Sequence, residues 1–140
     1  MKNWIVFAII SMFFAGLTSV IAKMGLKNVS SDTGLVVRTI SVVIVVAINA
    51  LFFQSAKDFK NLSGNDILIL SISGITAGLS WIFYFRAVKL GDVSQVALID
   101  KGSIVITVLL SLLLLNEQFT WKMAVGGSLI IAGLLVLTLK

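Results

Sequence analysis

Five apolar blocks, each near the length of a bilayer-crossing helix and parted by short polar runs, constrain this 140-residue chain more than any motif does. A spanning helix needs about 20 mainly apolar residues, because roughly 30 Å of hydrocarbon is covered at about 1.5 Å per residue. The blocks predict helices at about 4–22, 33–56, 67–85, 93–116 and 121–139. The expected fold is therefore an all-α membrane protein with five transmembrane helices in a single domain over residues 1–140. Composition agrees, with 59% hydrophobic and 12% charged residues, where a soluble domain carries about 25% charged. A globular enzyme core, a disordered chain and a collagen-like repeat all fit poorly.

The blocks differ in what they bury. Trp4–Ala22 and Ile67–Phe85 hold no charge, whereas the second block has Arg38 near its start. The fourth is the most informative. Its uncharged stretch from Gly102 to Asn116 is only 15 residues, too short to span, so the helix must begin near Val93 and take Asp100 and Lys101 into the membrane. A continuous helix places Asp100 about 7 Å from its midpoint. Lys2 before an apolar run also fits a signal peptide, but no small-x-small cleavage site precedes a soluble mature domain, so the first block is read as a span. The connections Asn28–Asp32, Lys57–Asp66, Gly91–Asp92 and Asn116–Thr120 are short, which makes neighbouring helices antiparallel. Lys23-Met24-Gly25-Leu26 and Lys89-Leu90-Gly91 look alike at two helix exits, too briefly to define a repeat.

Chemistry is bounded by what is missing. With no Cys and no His, thiolate nucleophiles, disulfides, imidazole bases and the usual metal ligands are excluded. No paired carboxylates or cofactor motif replace them, so no enzyme, metal or cofactor is expected. The net charge of +5 comes from basic residues scattered between apolar blocks, which form no stripe for nucleic acid.

Five crossings put the termini on opposite sides. The N-terminal side holds Lys2, Lys57, Lys60 and Lys122; the other holds Lys23, Lys27, Arg38, Arg86, Lys89, Lys101 and Lys140. The positive-inside rule places the richer side in the cytoplasm. Set aside Arg38, Arg86 and Lys101 as membrane-embedded and the sides hold four each. A balanced chain with an odd number of spans can insert both ways, and two opposed copies would form the inverted pair that many transporters build within one chain.

Charged groups at membrane depth cost roughly 2.5 to 3.5 kcal/mol each on insertion scales, so they face a bundle interior or a wet cavity. Arg38, Arg86, Asp100 and Lys101 share one half of the bilayer, and Asp100 can pin two helices by pairing with one cation. Asp100 is the only acid counted within the spans, so three cations against it leave positive charge that suits an anionic or zwitterionic solute. Asp100 and Lys101 need not pair with each other, since neighbours lie about 100° apart on a helix. On the Asp100 face a polar stripe continues through Ser103, Thr107 and Ser111. The third helix offers Ser73, Ala77, Ser80 and Tyr84, with Trp81 beside them. Gly74-x-x-x-Gly78 and the row Ala124, Ser128, Ala132 read as packing faces. Ser11, Ala15 and Ser19 repeat the pattern on the first helix, where Lys23 is expected to snorkel to the headgroups. Pro is absent, which leaves Gly16, Gly102 and Gly126-Gly127 as hinge candidates. Cations around Asp100 make it a poor proton carrier at neutral pH unless opening of the site uncouples it.

From Ser80 onward the chain reads SWIFYFRAVKLGDVSQVALIDKGSIVITVLLSLLLLNEQFTWKMAVGGSLIIAGLLVL. The YFRAVKLG exit, the run into LLLLNEQFTW and the Gly-rich IIAGLLVL helix, in that order and spacing, resemble the EamA-type unit of the drug/metabolite transporter superfamily. SVIAKMGL and Arg38 agree in the front half, so the resemblance covers essentially the whole chain. It implies one half of a ten-helix inverted-repeat transporter, the five-helix subgroup, pairing with a second copy in a bacterial or archaeal inner membrane. It also implies transport of small metabolites or drugs through a cavity between units. Small multidrug resistance relatives use an acid in the first helix; Trp4–Ala22 has none, so that proton exchange is not carried over. Asn116-Glu117 stands where the family usually has Gly-Glu, a loop feature.

The expected function is secondary transport of a small metabolite or drug-like solute by alternating access, as a homodimer that can be antiparallel, embedded in the lipid bilayer. The candidate substrate-binding residues are Arg38, Trp81, Tyr84, Arg86, Asp100, Lys101, Ser103 and Thr107. The alternative is a non-transporting small membrane subunit or a lipid or lipid-linked flippase component.

Overall fold

A computed structural model describes residues 3–54 and 59–138. Lys2, Lys57 and Lys140, and the expected ends of the second and fifth spans at Ala56 and Leu139, lie outside the described residues. The elements are α1 (Asn3–Gly25), α2 (Ser31–Phe53), α3 (Gly64–Leu90), α4 (Val93–Asp100), α5 (Ser103–Leu114) and α6 (Trp121–Thr138). Helices α4 and α5 are two pieces of one apolar span, Val93–Leu114. The five expected helical segments are thus present, and no strand occurs among the described residues. Four of them are long and apolar enough to cross a membrane, and the fifth supplies a shorter apolar helix, Trp121–Val136. Helices satisfy their own backbone groups, which hydrocarbon requires of any spanning element.

The chain forms two compact units, Met1–Leu90 and Gly91–Lys140. In the first, α3 packs against both α1 and α2. Its starts are capped by sequence-local chemistry. The Ser30 hydroxyl accepts from the Thr33 amide at 3.1 Å at the start of α2. At α3, the Ser63 hydroxyl accepts from the Asp66 amide at 3.2 Å while the Asp66 carboxylate accepts from the Ser63 amide at 3.0 Å. This reciprocal box starts α3 three residues before the expected Ile67. Replacing Ser63 by Ala should lower stability by about 1 kcal/mol, read as a lower midpoint of thermal unfolding in detergent; an unchanged midpoint would dismiss the box as a stabilising element.

Helix α3 also runs five residues beyond the expected Phe85, because its last turn is held by partners. Lys23 Nζ on α1 donates to the Val88 carbonyl at 2.7 Å and to the Lys89 carbonyl at 3.5 Å. Lys89 Nζ returns the contact, donating to the Leu26 carbonyl and, at 3.3 Å, to the Lys27 carbonyl. Each lysine therefore caps the negative end of the other's helix. Lys23, expected to snorkel, has helix-end carbonyls as its partners. Below this clasp lies the core of the unit, where Leu26, Phe85 and Val88 are buried. Gly34 on α2 completes it, since the Leu26 side chain occupies the place a Cβ would take. Elsewhere large apolar side chains such as Phe7, Phe52 and Leu70 face outward, as bilayer-solvated helices do.

In the second unit α6 packs against α4 and α5. The span expected as one continuous helix over 93–116 is interrupted at Lys101-Gly102. There the Gly102 amide donates to the Ile99 carbonyl at 2.9 Å, the Ile104 amide to Lys101 at 3.1 Å and the Val105 amide to Gly102 at 3.0 Å. These three-residue steps form a tightened turn inside the span, of the kind that marks hinges or local strain. A Cβ on Gly102 would stand 3.0 Å from the Ile99 carbonyl oxygen and 3.1 Å from Leu134 Cδ1. The span ends at Leu114 rather than Asn116, because Asn116 takes a φ of 52°, a left-handed conformation that Asn and Gly tolerate best.

Candidate functional site

Arg38 sits eight residues into α2 and faces α3. Trp81 and Phe85, one helical turn apart on α3, lie under it, with the guanidinium carbon 4.2 Å from the Trp81 ring centroid and 5.5 Å from that of Phe85. Aromatic faces stabilise a cation within about 6 Å, more so when water is excluded. Both rings lie within that range of the guanidinium of Arg38. Its Nη1 is buried and has no hydrogen-bond partner among the described residues.

Arg38 also lines a cleft between α1 and α2. Thr18, Ile21 and Ala22 form one wall, and Ser41, Val42, Val45 and Val46 continue from Arg38 on the other. The spacings of three and four place each set on one helix face. The Thr18 hydroxyl donates to the Phe14 carbonyl at 2.8 Å and the Ser41 hydroxyl to the Val37 carbonyl at 3.2 Å. Tyr84 is turned elsewhere. Its hydroxyl donates to Ser19 Oγ at 2.6 Å, and Ser19 in turn donates to the Ala15 carbonyl at 3.2 Å, so Tyr84 ties α3 to α1.

Arg86 departs from the sequence expectation. It binds the carboxylate of Asp32, Nε to Oδ1 at 3.3 Å, with both side chains more than half exposed. Asp32 lies in the first turn of α2, where a carboxylate is favoured by the helix dipole. Arg86 thus has a carboxylate partner from outside the expected spans.

In the second unit, Asp100 and Lys101 occupy the interruption between α4 and α5. They do pair, Nζ to Oδ2 at 3.9 Å, a long and partly exposed contact. Exposed pairs of this kind contribute about 0 to 1 kcal/mol, so the pair is loose enough to exchange partners. Beyond the break the Thr107 hydroxyl donates to the Ser103 carbonyl at 3.1 Å and Ser111 to Val108 at 3.1 Å. The stripe is thus interrupted by the tightened turn, and the hydroxyls of Thr107 and Ser111 are directed at their own helix.

The structure brings Arg38 onto Trp81, sends Tyr84 to Ser19 and Arg86 to Asp32, and groups Asp100, Lys101, Ser103 and Thr107 around the break. Sequence reasoning missed Asp32, Phe85 and the cleft wall of α2. Counting acids as well as bases on each side would have found Asp32, since the Asn28–Asp32 turn and the exit of the third helix share that side. The valines at 42, 45 and 46 gave no such signal, because every face of an apolar helix looks alike in sequence. Among the described residues no group of three or more acidic side chains is placed to hold a metal ion.

The model of the EamA-like transporter family matches residues 2–139. A protein of Sinorhizobium sp. described as an uncharacterized transporter in cobO 3′ region is 36% identical over 136 residues, covering 97% of this chain and 96% of its own. No solved structure matches the chain.

Proposed function

The chain belongs to the EamA-like transporter family and is a multi-pass membrane protein, and from that premise we propose that it is a secondary carrier of a small organic solute, working by alternating access as a homodimer in an inner membrane. One observation supports the reading most: the fourth span breaks at a charged pair within its apolar length. A tightened turn beside charged groups inside an apolar span is a natural hinge for alternating access. Asp100 and Lys101 change partners with the solute. The odd number of spans and the balanced lysine distribution fit a pair of oppositely inserted copies.

Reconstitution tests this directly. The purified chain, alone in liposomes, should accumulate or exchange labelled small organic solutes, and differently tagged copies should co-purify as dimers. A chain that is inert alone and recovered only with another protein in fixed stoichiometry would instead be a partner subunit. Reporter fusions at the C-terminus should be active on both sides of the membrane if the pair is inverted, and on one side only if it is not.

A further inference from the structure

We propose that the cleft between α1 and α2 is a carboxylate site, in which Arg38 binds the acid group of a small organic acid and the aliphatic walls bind its apolar body. The role as solute site rests on the carrier reading above; the binding chemistry does not.

The argument starts from the orphaned nitrogen. A buried donor without a partner costs about 1 to 3 kcal/mol, and a cation at membrane depth costs more. Trp81 and Phe85 offset part of the charge through their faces but leave the guanidinium edge without hydrogen bonds at Nη1. Asp32 is engaged by Arg86 and Asp100 by Lys101. Within the cleft the hydroxyls of Thr18 and Ser41 already donate to their own helices. Arg38 is therefore the side-chain donor this cleft offers, and a guanidinium carries further N–H groups beside Nη1, which carboxylates accept in pairs.

The rest of the cleft sets the body of the ligand. Ile21, Ala22, Val42, Val45 and Val46 supply only hydrocarbon, and the volume is about 360 Å³, at the small end of the roughly 300 to 1,000 Å³ typical of ligand pockets. A compact aliphatic or aromatic monoacid fits both features. A strongly polar diacid or a sugar would leave groups unpaired against the valines.

Trp81 makes the test direct, because it touches the guanidinium and is one of three tryptophans. In a chain with Trp4→Phe and Trp121→Phe, reconstituted in phosphatidylcholine vesicles, 4-methylpentanoate and phenylacetate should change Trp81 fluorescence. Their amides should do so at least tenfold more weakly. Arg38→Gln should lose the response, and Arg38→Lys, which keeps charge but not the fork, should weaken it several-fold. The proposal is overturned if the amides match the acids, if neither acid acts, or if a response needs phosphatidylglycerol in the vesicle, which would assign the cleft to a lipid phosphate. The acid and amide comparison on the parent chain stands even if an Arg38 variant fails to fold. Carboxylate binding without any transport would sink the carrier reading alone, and transport of other solutes without carboxylate binding would sink only this one.

Discussion

Replacing both Lys23 and Lys89 by Met should lower the unfolding free energy by about 3 kcal/mol or more, given that a hydrogen bond to a charged group contributes about 1.5 to 3 kcal/mol. The two lysines come from helices of the same direction and each binds the other's terminal carbonyls, so their loss strips both helix ends at once. The buried trio Leu26, Phe85 and Val88 lies directly at this junction and would be wetted by the fraying that follows. Thermal unfolding in detergent of the single and double variants reads the effect. The double should fall short of the sum of the singles, because removing one lysine already loosens the pair of helix ends that the other must bridge. Met keeps most of the side-chain length and its apolar packing, which isolates the ammonium. Variants indistinguishable from the parent would return both lysines to the headgroup layer.

Asp100→Asn together with Lys101→Gln should reduce solute flux in proteoliposomes at least tenfold, equivalent to about 1.4 kcal/mol at the limiting step, while helix content and dimer recovery stay as in the parent. The contact at 3.9 Å is too long and exposed to stabilise the fold much, so a structural role predicts little change in either readout. A carrier role predicts loss of flux without loss of fold. Each single substitution should be worse than a charge-conserving one, because either leaves an uncompensated charge at the helix break. Unimpaired flux in the double variant would remove these two residues from the transport path.

Much of this arrangement is legible in the residues. The length of each apolar block dictates five helices, and the 15 uncharged residues from Gly102 to Asn116 are too few to span alone, so the fourth span takes in Asp100 and Lys101. Gly102, a hinge candidate in a chain without Pro, stands in the tightened turn of the fourth span. The family was legible for a different reason, since the order of YFRAVKLG, LLLLNEQFTW and IIAGLLVL is a property of sequence alone.

Partners were not legible. A periodic pattern gives the face of a helix but not which helix it meets, so the pairing of Asp32 with Arg86 is hidden in the sequence. Lys23 and Lys89 were seen to be alike without being seen to bind each other's helices, 65 and 63 residues away. Arg38 was picked out by its charge, yet nothing in its neighbours shows Trp81 beneath it or the apolar cleft beside it. Hydrophobic length acts locally and along one helix, so sequence by itself determined the spans and their charged interruptions. Charge pairing, ring stacking and helix-end capping act across helices distant in the chain, and only the packing of α3 on α1 and α2 decided those.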